Sequence, residues 1–161
     1  MIKIPLKFID NQLRVIAYLD APNYRVRLKP ISFIIDTGSS KSFLSEGEAL
    51  RINFPLNCLT ESEPIIRMGG SKYHLFTTKP ISLLFKTNNE KLHKISLEKF
   101  SISKASKKTN EAKQESQNFP SILGTDFFII NNLVLHFNPN KQEEMFIYEN
   151  KEDTEKLAEK K

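Results

Sequence analysis

The chain is poor in the residues that most often announce a chemistry. It has one cysteine, Cys58, in 161 residues. That excludes an intrachain disulfide and every zinc-finger spacing, and it fits a reducing compartment. With no neighbour in the sequence to activate it, Cys58 is expected to be a buried structural thiol. Tryptophan is missing and twelve phenylalanines are present, so the core must be built from Phe, Ile and Leu. No stretch approaches the roughly 20 apolar residues that span a bilayer. The opening segment from Met1 to Asp10 is broken by lysines and has no apolar centre of the signal-peptide kind. The chain reads as cytoplasmic and soluble, with no membrane partner.

Other absences narrow the chemistry further. His74, His93 and His136 are scattered, with no cysteine or carboxylate cluster beside them, so no metal and no other cofactor is expected. His136, between Leu135 and Phe137, reads as a solvent-facing strand position. Ser39 follows a glycine but lacks a Gly-x-Ser-x-Gly setting, and Gly69-Gly70 is followed by neither a helix nor a Lys-Ser/Thr pair. Those absences exclude a serine-hydrolase elbow and a phosphate-binding loop. No internal repeat is present.

The net charge of +5 invites a nucleic-acid partner. Much of the excess is local, however: Lys104, Lys107, Lys108 and Lys113 stand against Glu111 and Glu115 in the stretch Ser103 to Gln117. A basic run in a polar loop is ordinarily solvated surface. No aromatics alternate with these lysines to stack on bases, so no nucleic-acid partner is expected.

What is present reads as strands. Lys3 to Ile9 alternates Ile4, Leu6 and Phe8 with polar neighbours. Asp10-Asn11 is a turn signal, and Leu13 to Leu19 returns from it. Ile31 to Ile35 is an apolar run of the kind expected for a strand covered on both faces, and a short helix is possible over Glu46 to Leu50. Ile65 to Met68 and Tyr73 to Thr77 flank Gly69-Gly70-Ser71-Lys72, the pattern of a glycine-tipped hairpin. Ile81 to Lys86 and Lys94 to Phe100 lie around Thr87-Asn88-Asn89. Residues 101–118 lack hydrophobic periodicity and read as a long, mobile insertion. Asp126 to Asn131 suits a short helix, and Leu133 to Phe137 and Met145 to Tyr148 close the fold around Asn138-Pro139-Asn140. The domain spans 1–150, and the charged tail 151–161 is expected to fray. Many short strands with little helix predict an all-β, closed or nearly closed domain.

Asp36 is the residue that the pattern does not absorb. A carboxylate directly after Phe33-Ile34-Ile35 sits where burial without a partner would cost several kcal/mol. Thr37-Gly38-Ser39 supplies hydroxyls and a flexible backbone at the same point. From these residues alone, an Asx turn capping a strand and a functional carboxylate both fit.

Phe33-Ile34-Ile35-Asp36-Thr37-Gly38-Ser39-Ser40 resembles the signature of aspartic proteases, an apolar strand running into Asp-Thr-Gly-Ser. Met68-Gly69-Gly70-Ser71 is similar to the tip of their flap hairpin. Ser121-Ile122-Leu123-Gly124-Thr125-Asp126-Phe127 is similar to their second hydrophobic-hydrophobic-Gly element with its short helix. The three occur in family order, and the resemblance is to the single-domain, retropepsin-like branch, from about Ile4 to Tyr148.

That resemblance implies a retropepsin-like (acid protease) β-barrel with a flap and one short helix, acting as an aspartic-type endopeptidase on polypeptide substrates. Such enzymes use two aspartates that share one proton. Asp10, Asp20 and Asp126 precede Asn, Ala and Phe, and Asp153-Thr154 runs into Glu155, so the chain holds no second Asp-Thr-Gly and the second carboxylate is expected from an identical chain in a homodimer. By resemblance, Asp36 is the shared acid/base and Thr37 bonds across to the partner. Gly38 and Ser39 hydrogen-bond the carboxylate, Met68, Gly69, Gly70 and Ser71 close over the peptide, and Ile122, Leu123 and Gly124 support the loop. Retroviral enzymes interleave their chain ends in the dimer; here the charged tail argues against that arrangement, and an earlier strand such as Glu143 to Tyr148 could serve instead. The alternative reading is a catalytically idle domain of the same fold used for binding or dimerisation.

Overall fold

A computed structural model describes residues 1–68 and 70–150, with the backbone alone for 61–65. Gly69 and the tail 151–161 lie outside the described residues. In chain order the elements are β1 (Lys3–Pro5), β2 (Lys7–Ile9), β3 (Gln12–Ala21), β4 (Val26–Ile35), α1 (Glu46–Arg51), β5 (Thr60–Met68), β6 (Ser71–Thr77), β7 (Ile81–Lys86) and β8 (Leu92–Leu97). They continue with β9 (Ser101–Ala105), α2 (Asn110–Asn118), β10 (Ser121–Leu123), α3 (Thr125–Ile130), β11 (Leu133–His136) and β12 (Phe146–Glu149).

The β2–β3 hairpin turns at Asp10 and Asn11, whose φ angles of 52° and 58° match the twist of the strands that they join. β3 is the spine of the largest sheet, pairing with β4 on one side and β7 on the other. β7 carries β8, and β10 lies parallel to β4, giving the order β10-β4-β3-β7-β8. Alternation along β3 and β7 sends Val15, Ala17, Leu19, Ile81, Leu83 and Phe85 into the main core. Each large side chain so buried contributes about 1.5–3 kcal/mol. β4 follows the same rule rather than the two-faced burial expected of it: Phe33 is buried and Ser32 is exposed. Ile34, on the outer face, is only half-buried.

Two smaller sheets complete the fold, β1-β12-β11 and β5-β6-β9. No sheet closes into a barrel among the described residues, which corrects the closed architecture expected. The path ends at β10 because the strand's other flank is taken by Phe43 in an isolated bridge, not by β8.

Residues 101–118 are ordered, against expectation. β9 pairs with β6 along its length, and α2 packs on α1. Nothing in Asn-Glu-Ala-Lys-Gln-Glu-Ser-Gln-Asn offers an apolar stripe. The helix is held instead by polar contacts and close backbone approach. Thr109 Oγ1 accepts the Ala112 N–H at 3.2 Å as an N-cap. Ser116 Oγ donates to Oε2 of Glu46, itself only 6% exposed. A Cβ on Gly47 would lie 1.9 Å from the Gln117 carbonyl oxygen, so α1 and α2 touch where only a hydrogen fits. The fold therefore has three α-helices among its described residues, not one. Cys58 is exposed rather than buried, in a 3-10 turn. No described helix is long and apolar enough to cross a membrane.

Candidate active site

The site is assembled at the ends of two parallel strands. β10 lies beside β4 with Leu123 opposite Ile35, and the Asp36 N–H extends this ladder by donating to the Leu123 carbonyl at 3.1 Å. The chain then turns sharply. The Ser39 N–H donates to the Asp36 carbonyl at 3.1 Å, and the Gly38 N–H donates to Asp36 Oδ1 at 2.9 Å. Past the turn the chain doubles back along the other flank of β10, where Phe43 and Ile122 exchange backbone bonds of 2.9 and 3.0 Å. β10 is thus clasped between the strand that enters the Asp36 loop and the segment that leaves it.

Gly124 fixes the loop from below. A Cβ at this position would meet the Ser39 carbonyl oxygen at 2.5 Å and that of Lys41 at 2.7 Å. The Thr125 N–H donates to the same Ser39 carbonyl at 2.9 Å. The glycine is required by close approach, since its φ of −92° is open to any residue.

Asp126 completes this support, and sequence reasoning missed it by testing it only as a second catalytic aspartate. Its carboxylate accepts the Ser42 N–H at 3.1 Å, the Ser42 hydroxyl at 2.5 Å and the Phe127 N–H at 2.8 Å. Ser42 Oγ in turn accepts the Gly124 N–H at 2.8 Å. The available signal was a carboxylate at the start of a helix that follows an apolar-Gly step, where it can hold N–H groups.

The predicted site residues fall into two groups. Asp36, Thr37, Gly38, Ser39, Ile122, Leu123 and Gly124 meet at this point. Ser39 acts differently from expectation: its hydroxyl donates to the Lys41 carbonyl at 2.8 Å and not to the carboxylate. It staples the loop and leaves Gly38 to hold Asp36. Asp36 is half-buried, its Oδ2 has no hydrogen-bond partner among the described residues, and Thr37 is exposed.

The hairpin residues lie across the loop. Met68 packs in a small second core with Phe43, Leu75 and Ile122. A cavity of about 270 Å³ separates Ile66, Arg67 and Met68 from Gly38 to Lys41. Gly70 turns the tip with φ of +84°, while Gly69 lies outside the described residues. Ser71 Oγ donates to the Glu115 carboxylate at 3.0 and 2.9 Å, so the hairpin is tied to α2. Tyr73 packs on Phe119, and burial together with the Glu115 charge pushes its phenol above the usual value.

A second cavity, about 340 Å³, opens on the other side of the carboxylate. Ile34, Asp36, Thr37, Leu135, Phe137 and Phe8 line it. Chemically, one chain offers a positioned carboxylate with an unclaimed oxygen, a cavity on either side, and a hairpin overhead. Asp126 is committed to Ser42, so this carboxylate has no acid–base partner within the site.

No family model matches the chain, and no curated protein matches it. Among solved structures it is similar to a retropepsin-like aspartic protease from Rickettsia conorii, with a TM-score of 0.53 over 91% of this chain and 87% of that one. The identity is 15%, so the likeness is one of fold.

Proposed function

We propose that the chain is one protomer of a homodimeric aspartic endopeptidase. The observation that carries the reading is the position of Asp36. It ends a core strand, its Oδ1 is oriented by the Gly38 N–H, and its loop is immobilised by β10 and Gly124. A carboxylate so fixed and so little used by its own chain suits a role toward something outside it. The fold likeness agrees with that reading.

In the dimer, two Asp36 carboxylates face one another closely enough that both cannot ionise, and one proton is shared. The ionised member removes a proton from a bound water, whose oxygen attacks the peptide carbonyl carbon. The protonated member gives its proton to the carbonyl oxygen, forming a gem-diol. One diol hydroxyl gives its proton to the ionised Asp36 as the C–N bond breaks, and the leaving nitrogen takes the proton held by the other Asp36, which restores the singly protonated dyad. Thr37 braces the pair through its hydroxyl, and Met68 to Ser71 close over an extended substrate that pairs through its main chain.

The test is cleavage of a denatured protein across an acidic-to-neutral pH series by wild type and Asp36→Asn. The expected result is cleavage by the wild type alone, with unchanged circular dichroism and sedimentation in the variant. Cleavage retained by Asp36→Asn would refute the proposal.

A further inference from the structure

The sheet β1-β12-β11 has two edges, and they differ. β1 is closed. The Leu6 N–H bonds the Met145 carbonyl at 2.9 Å, so alternation turns the backbone groups of Ile4 toward β12 and those of Lys3 and Pro5 outward. Lys3 spends both of its groups on Asn88, its N–H donating to Asn88 Oδ1 at 3.3 Å and its carbonyl accepting the Asn88 N–H at 2.9 Å. Pro5 has no N–H to offer. β12 lies between its neighbours with both flanks used, which removes the expectation that Glu143 to Tyr148 would pair with a second chain.

β11 is open. The Asn150 N–H bonds the Asn132 carbonyl at 3.0 Å, so alternation turns Val134 and His136 toward β12 and Leu133 and Leu135 away from it. No described residue meets those outward backbone groups. Exposed edges are ordinarily guarded by lysine, proline or a bulge. β8, an edge of the large sheet, carries Lys94. Residues 131–137, Asn-Asn-Leu-Val-Leu-His-Phe, carry no such guard in a chain with 24 lysines and arginines. Apolar side chains flank the edge uncovered: Ile129 and Ile130 are 77% and 76% exposed, and Phe8 and Phe137 are also exposed. The edge is also part of the half-site, because Leu135 and Phe137 line the cavity that Asp36 and Thr37 line.

We infer that a second copy of this chain pairs antiparallel with β11 across a two-fold axis, forming one continuous six-stranded sheet and setting the two Asp36 loops at the same end of that axis. The inference rests on the peptidase reading, which requires a second Asp36 next to the first. In the register that joins the outward groups, Leu133 faces Leu135 of the partner subunit and exchanges both backbone bonds with it. Val134 then faces its own copy at a non-hydrogen-bonded position, where Cα atoms approach to about 4.5 Å. The arrangement differs from interleaved chain ends, because a strand internal to the domain makes the contact.

That separation is within reach of a disulfide, which tolerates roughly 4.4–6.8 Å. The experiment compares Val134→Cys with Lys94→Cys, each in a Cys58→Ser background under mild oxidation. Val134→Cys is expected to yield a covalent dimer on a non-reducing gel that persists on dilution, while Lys94→Cys stays uncrosslinked. Val134→Arg, which sets like charges face to face at the axis, is expected to raise the dimer dissociation constant about tenfold or more with unchanged circular dichroism. A non-covalent dimer in which Val134→Cys fails to crosslink overturns the interface and leaves the peptidase reading standing. A crosslinked dimer that, like the wild type, cleaves nothing supports the interface and overturns the peptidase reading. A wild-type chain that sediments as a monomer at high concentration overturns the interface.

Discussion

Replacing Gly124 with alanine separates the support of the Asp36 loop from general stability. The backbone there is extended, with φ −92° and ψ −172°, so alanine meets no conformational penalty. The cost is steric: the new methyl would sit 2.5 Å from the Ser39 carbonyl oxygen and 2.7 Å from that of Lys41. Overpacking of this kind costs about 1–3 kcal/mol, a fall of roughly 2–12 °C in Tm for a domain of this size. The atoms that must yield belong to the loop that carries Asp36, and in the peptidase reading misplacing that group by about 1 Å costs on the order of a hundredfold in rate. Gly47→Ala is the control. Its methyl would lie 1.9 Å from the Gln117 carbonyl, a worse clash at the α1–α2 contact. Thermal unfolding and initial cleavage rates, measured well below the lower Tm, are expected to split the pair. Gly47→Ala should lose at least as much stability, and Gly124→Ala should lose far more activity. A Gly124→Ala variant with wild-type rate, or activity that simply tracks Tm in both, refutes the reasoning.

Two further substitutions probe the supports around the site. Asp126→Ala removes the acceptor of two N–H groups and the Ser42 hydroxyl, and is expected to cost about 2–3 kcal/mol in urea denaturation. Asp126→Asn keeps one carbonyl oxygen and should recover part of that loss; an Asp126→Ala as stable as wild type would show the network to be idle. Glu115→Ala frees Ser71 from α2, and amide exchange over Ser71 to Tyr73 should quicken about fivefold, the equivalent of one lost hydrogen bond. Unchanged exchange there would mean that α2 does not hold the hairpin.

Legibility in the sequence followed the range of the interaction. β3, β6 and β7 were readable because one-face burial writes a period of two into neighbouring residues, and the Asp10-Asn11 turn because two positive φ angles demand such residues. The Asp36 loop stood out because a carboxylate ending an apolar strand needs a use, and Gly124 through the family resemblance, its need for a bare backbone being visible only in the close approach of Ser39 and Lys41. α2 was invisible for the opposite reason. Its partners, Glu46 and Gly47, lie far away in sequence and hold it through a buried hydroxyl and a bare backbone, neither of which leaves an apolar stripe. Cys58 misled because a lone thiol is more often buried than exposed. Barrel closure misled because the fate of an edge strand depends on a distant partner, here Phe43 on β10.

The same distinction between local and distant determinants bears on what one chain can do. The position of the carboxylate is settled within the protomer: Leu123, Gly38 and Gly124 hold the loop from three sides without help. In the peptidase reading, association then has little ordering cost to meet at the site, and its free energy can go into the new contact. The acid–base function is another matter. A single carboxyl group cannot be acid and base at once, whereas two that share one proton divide the roles between them. In that reading, position belongs to the fold and chemistry to the pair. Specific activity in the peptidase reading should then fall on dilution along the monomer–dimer equilibrium, while the Asp36 loop stays ordered throughout. Loss of loop order together with activity would mean that the protomer does not prepare its half of the site in advance.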